Sequence, residues 1–348
     1  MRRAAPVAGR LAALIAATLH SPSAAGVAAD HGVQPWTEAV ISVTDPAPFT
    51  RLLKGAGGWR EVAAGAVSRA EIAYWRLPAS ASARFTLWCA PGVSTGCLRF
   101  VAFNGVSQRP IRLAARAWDP GGIYSIMVRS DDIDGLFDAA IKAGWWAESP
   151  PIRFDFLGSK LANVVLTGPN GVNIAVYQRF SPPFTAFPLG RVSQAFNSMR
   201  MVADRRVARD FYAGKLGFGI VFDGDGTNAI GTQPEPSNFG IPLNYTLKAL
   251  RAAAALNPVP GETGRVEMMQ ITDFVGIPQG AHARAPNLGI LSVRYRVKDL
   301  AGYRAALARA GVTPVQQASA VAVKGLGTVD LFAVADPDGN LTEFADAR

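Results

Sequence analysis

Cys89 and Cys97 are the only cysteines in the chain of 348 residues, and they flank the turn Pro91-Gly92. A strand on each side of that turn would bring the two sulfur atoms together. We expect a disulfide across this hairpin, because the start of the chain resembles an export signal and exported proteins meet an oxidising compartment. Two free buried thiols are the alternative. Two cysteines alone provide too few ligands for a structural zinc site.

Carboxylate and amide oxygens are grouped most closely at residues 336–343, in Asp-Pro-Asp-Gly-Asn-Leu-Thr-Glu. The segment resembles part of a calcium-binding loop, but it lacks the 12-residue register of such loops. Asp-Gly is a strong signal for a tight hairpin, so a turn explains the segment better. Histidine, the usual ligand for iron, nickel or zinc, occurs only as His20, His31 and His282.

Four segments repeat one pattern, in which a strand is followed by an aspartate, an amphipathic helix, a glycine and further strands. The strand and aspartate lie at residues 38–45, 125–132, 197–204 and 292–299. Apolar residues spaced as i, i+3 and i+4 predict a one-sided helix after each aspartate. The aspartate can cap the start of that helix, and the glycine can end it. The sequence therefore predicts an α+β protein made of four copies of one module.

The second and fourth modules end alike, in an Asn-Gly turn at Gly171 and an Asp-Gly turn at Gly339. These glycines are 168 residues apart, and the helix-start aspartates Asp132 and Asp299 are 167 apart. Such a constant offset indicates that a unit of two modules was duplicated. We therefore expect an N-terminal domain at residues 36–180 and a C-terminal domain at residues 191–346.

The proline-rich residues 181–190 are expected to link the two domains. Residues 223–260 interrupt the third module, and residues 245–256 within them are compatible with a helix. An insertion of this length is typical of a lid or a subunit contact.

The N-terminus is typical of a secretory signal peptide, predicted at residues 1–29. Three arginines precede or enter a short apolar run, and Val27-Ala28-Ala29 is an acceptable cleavage site before Asp30. We expect a periplasmic or secreted protein; a retained N-terminal anchor is the alternative. Later stretches fall short of the roughly 20 apolar residues that a spanning helix needs, so stable membrane insertion is not expected.

Basic residues are scattered through the chain, although the formal net charge is +9. Residues 1–29 hold three arginines and no acid, so their removal would leave +6. A nucleic-acid surface requires clustered Lys and Arg, and therefore we expect no nucleic-acid partner.

Two motifs carry a family resemblance: Phe-Tyr-x3-Leu-Gly-Phe at residues 211–218, and Asp-Pro-Asp-Gly-Asn-Leu-Thr-Glu-Phe at residues 336–344. They resemble motifs of the vicinal oxygen chelate superfamily, which includes glyoxalase I, bleomycin-resistance proteins and extradiol dioxygenases. The repeats extend the resemblance over residues 36–346. It implies four βαβββ modules paired into two open-barrel, glyoxalase-like domains, in which curved sheets form open cups. It also implies a divalent metal in such a cup, held by the first and last strands.

The resemblance also selects residues for the metal site. In the superfamily the first-strand ligand usually lies seven residues before the helix-start acid. Here that spacing selects Glu38, Ser125, Asn197 and Ser292. The last-strand ligand maps to Glu343 in module four, Ala175 in module two and, within one residue, Glu267 in module three. Arg99 lies near this position in module one, where no acid is apparent.

The metal site implied by the resemblance therefore comprises Glu343, Glu267, Asn197 and Ser292, with Glu343 as the catalytic base. This set supplies only oxygen, which suits Mg²⁺, Mn²⁺ or Ca²⁺ better than iron or zinc. No histidine occupies a first-strand position, so extradiol cleavage is disfavoured. A cup without metal is the alternative, and the N-terminal pair of modules is expected to be structural.

Two functions remain open from the sequence. The first is a metal-assisted lyase, isomerase or hydrolase of glyoxalase type that acts on a small oxygenated molecule. The second is a metal-free protein that binds a small apolar or aromatic ligand, as bleomycin-resistance proteins do. A structural protein without a ligand is a weaker third reading. Four modules can complete two cups in one chain, so a monomer and a homodimer are equally compatible with the sequence.

Overall fold

The structure is a computed structural model that describes residues 26–112, 114–227 and 234–346. It confirms the α+β fold of four βαβββ modules. A short helix, α1 (Val27–Asp30), precedes them. Module one contains β1 (Glu38–Ser42), α2 (Ala47–Gly57), β2 (Arg60–Ala66), α3 (Arg69–Tyr74), β3 (Ser82–Cys89) and β4 (Cys97–Asn104). Module two contains β5 (Ile123–Arg129), α4 (Ile133–Lys142), β6 (Ile152–Phe156), β7 (Ser159–Thr167) and β8 (Asn173–Ser181).

The second half of the chain repeats this order. Module three contains β9 (Asn197–Met201), α5 (Arg205–Asp210), β10 (Gly219–Thr227), β11 (Arg251–Asn257) and β12 (Arg265–Ile271), and a π-helical turn (Phe211–Lys215) continues α5. Module four contains β13 (Gly289–Val297), α6 (Leu300–Arg309), β14 (Gln316–Val323), β15 (Gly327–Ala335) and β16 (Leu341–Asp346).

The predicted aspartate caps are present at three of the four module helices. Asp132 accepts a hydrogen bond from the backbone N–H of Gly135 at 3.0 Å, and Asp299 accepts one from Gly302 at 2.9 Å. Asp204 caps α5 in the same way. At α2 the cap position is Pro46, and Asp45 accepts from the N–H of Ala47. The caps satisfy N–H groups that the first helical turn leaves free.

The sixteen strands of the described residues form two sheets of eight, and each sheet combines two modules. The first sheet has the order β14-β15-β16-β13-β1-β4-β3-β2, so it joins modules four and one. The second has the order β10-β11-β12-β9-β5-β8-β7-β6, so it joins modules three and two. In both, the first strands of two modules pair antiparallel: β1 with β13, and β5 with β9.

This pairing corrects the predicted domains. Residues 36–180 and 191–346 each contain two consecutive modules, whereas each sheet joins modules from both ranges. The segment at residues 181–190 accordingly leads from β8 to β9 within one sheet. A module exposes the edge of its first strand, and that edge must be paired. Any other module can provide the partner, so the repeat pattern alone does not specify which one.

The largest apolar core lies between the two sheets, on the faces that carry the helices. Phe49 of α2 packs on Trp145, which follows α4, with ring centroids 5.3 Å apart. Phe218 of module three packs on Tyr295 of module four at 5.4 Å. Both contacts connect one sheet to the other, and all four side chains are buried.

Residues 245–256 do not form the helix with which their composition is compatible. A 3-10 turn (Leu243–Tyr245) ends at the first of these residues, and from residue 251 the chain enters β11, between β10 and β12. The run of alanines at 252–255 has high helix propensity, but pairing on both sides of the strand outweighs a preference of a few tenths of a kcal/mol per residue.

The predicted disulfide is present in the structure and links Cys89, at the end of β3, to Cys97, at the start of β4.

Most of the predicted signal peptide lies outside the described residues. Its last residues belong to α1, where Ala28 is fully buried in the core between the sheets. Across the part of the chain that the structure describes, every helix is too short or too polar to cross a membrane.

Candidate functional site

The predicted ligand positions lie on the concave faces of the two sheets. We call the concave face of modules one and four the first cup, and that of modules two and three the second cup. In the first cup, the hydroxyl of Ser292 donates to Glu343 at 2.8 Å. In the second cup, the amide of Asn197 donates to Glu267 at 2.9 Å. The two pairs belong to different sheets, so the predicted constellation of four residues does not form one site.

A network of buried charges occupies the first cup. Arg294 of β13 donates to Glu38 at 2.6 Å and to Glu343 at 2.7 Å. Arg99 of β4 donates to both carboxylate oxygens of Glu38, at 2.8 and 3.0 Å. These four side chains are at most 2% exposed. Two guanidinium groups thus neutralise the carboxylates at the predicted metal positions.

Helix α3 completes this network and fills the first cup. Glu71 of α3 lies 3.5 Å from Arg294, and the neighbouring side chains Ile72, Tyr74 and Trp75 are buried against the cup strands. Burial raises the pKa of Glu71, and Arg294 offsets only part of that effect. Burial alone would raise the pKa of Glu38 too, but Arg99 and Arg294 together hold it below its usual value.

The residues of the first cup do not fit a divalent metal. A metal would need free anionic oxygens, whereas Glu343 accepts bonds from Ser292 and Arg294, and Glu38 accepts them from both arginines. The guanidinium of Arg294 already supplies positive charge between the two carboxylates. Within residues 26–112, 114–227 and 234–346, no cluster of three His, Cys, Asp or Glu side chains could hold a metal.

The second cup contains a cavity of about 910 Å³ that is partly open to solvent. Glu267 lies on β12, opposite Met199 of β9 and Ala255 of β11. Small side chains on β11 leave space in front of this carboxyl. Apolar side chains form much of the remaining wall, among them Met127, Phe154, Tyr177, Phe196, Phe239 and Met269.

The carboxyl of Glu267 is the chemically distinctive group of the second cup. Glu267 is half-buried, and the loss of water around it raises the pKa of its carboxyl to about 7, although the hydrogen bond from Asn197 acts in the opposite direction. A carboxyl with this pKa exchanges its proton near neutral pH, as a general acid or base must. It can therefore donate a hydrogen bond to a molecule in the cavity when protonated, or accept one from it when ionised.

The second cup is also a poor match to a divalent metal. The side-chain oxygen of Asn197 accepts from the N–H of Ser198 at 2.8 Å, and its NH₂ group points to Glu267. The corresponding positions in module two hold the neutral hydroxyl of Ser125 and the methyl group of Ala175. A single carboxylate among these neutral groups does not provide the several anionic oxygens that Mg²⁺, Mn²⁺ and Ca²⁺ favour.

The sequence already offered Arg294 or Arg296 as an ion-pair partner for Glu343, as the alternative to a functional carboxylate, and the structure shows the pair with Arg294. Strand residues alternate between faces, so Arg294 must share the cup face of Ser292, two positions before it. Sequence reasoning missed Glu71, although it had a signal. Ser68 and Glu71 have the spacing of a capping box, and the Ser68 hydroxyl accepts from the N–H of Glu71 at 3.1 Å. What the sequence did not indicate is that α3 enters the cup.

Comparison with known proteins finds one family whose profile matches part of the chain. The profile of the Glyoxalase/Bleomycin resistance protein/Dioxygenase superfamily matches residues 196–344. Residues 196–344, which span modules three and four, are therefore similar to a domain of this superfamily. A search of curated proteins found no match to the chain.

Solved structures extend the likeness to almost the whole chain. A mutant of glyoxalase I from Zea mays superposes with a TM-score of 0.61 and 16% identity, covering 93% of this chain and 97% of that one. A second crystal structure of glyoxalase I from Zea mays superposes with a TM-score of 0.61 and 16% sequence identity. This match covers 90% of this chain and 92% of that one. At this identity the likeness shows the fold alone.

Replacing Arg294 with Met should lower the free energy of unfolding by about 3–5 kcal/mol, because it leaves two buried carboxylates without their shared cation. Urea denaturation at pH 7 measures this loss. Arg296→Met, on the same strand but partly exposed, is the matched control and should cost about 1 kcal/mol or less. Adding Glu343→Gln to Arg294→Met should restore part of the stability. Equal losses for Arg294→Met and Arg296→Met would contradict the proposed importance of the network.

Glu267 should make the protein less stable as the pH rises. The pKa of its carboxyl is about 7 in the folded chain and 4.5 ordinarily, so the folded state holds the proton more tightly. Ionisation of Glu267 therefore lowers the free energy of unfolding. This loss grows between pH 4.5 and 7 and reaches up to about 3 kcal/mol above that range. Glu267→Gln removes the ionisation and keeps an acceptor for Asn197. We expect the variant to gain stability over the parent between pH 5 and pH 8, measured by urea midpoints; a difference independent of pH would refute this assignment.

Proposed function

We propose that the protein binds a small, largely apolar or aromatic molecule in the second cup without a metal ion. The observation that carries the proposal is the contrast between the two cups. Side chains of α3 and a neutralised charge network fill the first cup, whereas the second contains a cavity of about 910 Å³. Cavities of roughly 300–1,000 Å³ are typical of sites for small ligands.

The chemistry of the cavity wall supports this choice of ligand. Aromatic and methionine side chains can pack on an apolar ring, and methionine adapts readily to an irregular surface. Glu267 and Tyr177 both line the cavity, and their carboxyl and hydroxyl groups offer polar contacts to a ligand there. A few polar groups on an apolar wall give a bound molecule one orientation.

Proton transfer by Glu267 is a second candidate function for the same cavity. Its pKa of about 7 is the specific observation that favours a lyase or isomerase. Glu267 would take a proton from a carbon next to a carbonyl group of the ligand and return it to a neighbouring atom. The hydroxyl of Tyr177 would donate to the oxygen on which negative charge develops.

Binding of N-phenyl-1-naphthylamine, a neutral aromatic dye, tests the primary proposal. We expect a saturable rise in fluorescence with one site per chain. Ala253→Phe, on the wall formed by β11, should abolish it by filling the cavity. Val62→Phe, at an exposed position of the first sheet, is the matched control and should bind normally. Absence of binding, or binding unchanged in Ala253→Phe, would rule out this use of the second cup.

Thermal unfolding with metals separates the candidates further. Mg²⁺, Mn²⁺, Ca²⁺, Ni²⁺ and Zn²⁺ should leave the melting temperature unchanged. A stabilisation that disappears in Glu343→Ala or Glu267→Gln would instead support the metal-assisted lyase or isomerase.

We also propose that the protein is exported. The arginine-rich start of the sequence and the disulfide between Cys89 and Cys97 support this location, since disulfides persist in oxidising compartments. The buried Ala28, whose carbonyl accepts from the N–H of Val33 at 2.9 Å, favours cleavage upstream of Gly26 rather than after Ala29. Cell fractionation followed by mass spectrometry should find the oxidised chain outside the cytoplasm with such an N-terminus. Recovery of reduced, full-length protein in the cytoplasm would contradict export.

A further inference from the structure

Among the described residues, six cationic side chains line the cavity of the second cup, against four carboxyl groups. Arg129 and Arg265 share one carboxylate, that of Glu262, at 3.2 and 3.1 Å. Arg179 and Arg251 also line the cavity, and within the described ranges neither lies within salt-bridge distance of an acid. Every Asp and Glu of the chain falls inside those ranges, so no acid elsewhere in the sequence can supply the missing partner.

Arg251 differs from the other arginines of the cavity. The guanidinium of Arg129 lies between the rings of Phe184 and Phe196, 4.3 and 4.4 Å from their centroids. Arg179 lies over Phe184 at 5.3 Å. Arg251 has no such ring contact and no side-chain hydrogen bond to another described residue. Its charge is therefore the one that the protein itself leaves least compensated.

Burial makes this charge costly. Loss of water around Arg251 lowers the pKa of its guanidinium, and the nearby Tyr177 opposes this only in part. Arg251 is half-buried, and a cation that has lost part of its water without gaining a counter-ion is unfavourable. An anionic group on a ligand would offset that cost, and the guanidinium of Arg251 would hold the anionic group in place.

Arg251 shares its space with the polar groups already described. Burial raises the pKa of Tyr177, and Glu267 raises it further, while Arg129 and Arg251 lower it. All four side chains line the same cavity. A carboxylate in that cavity could accept from the Tyr177 hydroxyl and from Arg251, while apolar walls contact the rest of the molecule.

We propose that the second cup selects an aromatic carboxylate, with Arg251 and the Tyr177 hydroxyl binding its carboxylate group. This inference rests on the proposed function, because it names the ligand class of the same cavity. Arg251 is then the residue that determines specificity for an anion over a neutral molecule of equal size.

Competition between 2-naphthoate and 2-naphthamide for the bound dye tests the inference, because these two molecules share a ring and differ in charge. The wild-type protein should bind 2-naphthoate at least about tenfold more tightly, as expected for a charge-assisted hydrogen bond. Arg251→Met should remove this preference and leave the affinity for 2-naphthamide within about threefold, since the apolar wall remains. Arg251→Lys should retain part of the preference.

Arg153→Met is the matched control, because Arg153 lines the rim of the same cavity but is exposed and pairs with Asp134. It should keep the preference for 2-naphthoate. Equal affinities in the wild-type protein, or a preference that persists in Arg251→Met, would overturn the inference while dye binding in the cup still stands. Failure of the dye to bind would overturn the proposed function itself, so the two failures are distinguishable.

Discussion

The buried guanidinium of Arg294 connects the beginning of the chain to its end. It bonds to Glu38 on β1 and to Glu343 on β16, and so it crosses the seam at which modules one and four join. Each of these charges alone would be unfavourable in the interior, whereas together they neutralise one another. The seam therefore cannot open without exposing unpaired charges, and the first cup cannot exchange this arginine for a metal without losing the bonds that close it.

The two cups consequently have different roles, although their strands follow the same order. In the first cup, charge pairing and the insertion of α3 use the concave face to hold the sheet together. In the second cup, alanines on β11 and a single carboxyl on β12 leave the concave face open. A duplicated scaffold can therefore keep one copy of the cup for stability while the other stays available for a ligand.

Much of the architecture could be predicted from the sequence because it depends on local signals. Caps at Asp132 and Asp299 specify where helices begin, and the seven-residue spacing places Asn197 and Ser292 on cup faces beside their carboxylates. The pairing of modules could not be predicted, since each module offers the same edge to any partner. The strand at residues 251–257 could not be predicted either, because its conformation depends on neighbours distant in sequence.

The motifs that indicate the superfamily describe its scaffold more than its chemistry. The hydroxyl of Tyr212, from the motif after β9, donates to Asp336 of the motif before β16 at 3.2 Å. Arg200 lies 3.8 Å from the same carboxylate, and all three side chains are buried between the two sheets. These contacts hold module three against module four whatever the cups contain. Glu343, by contrast, faces the first cup, where Arg294 neutralises it. A chain can therefore share the motifs and fold of the superfamily without having the residues of a metal centre.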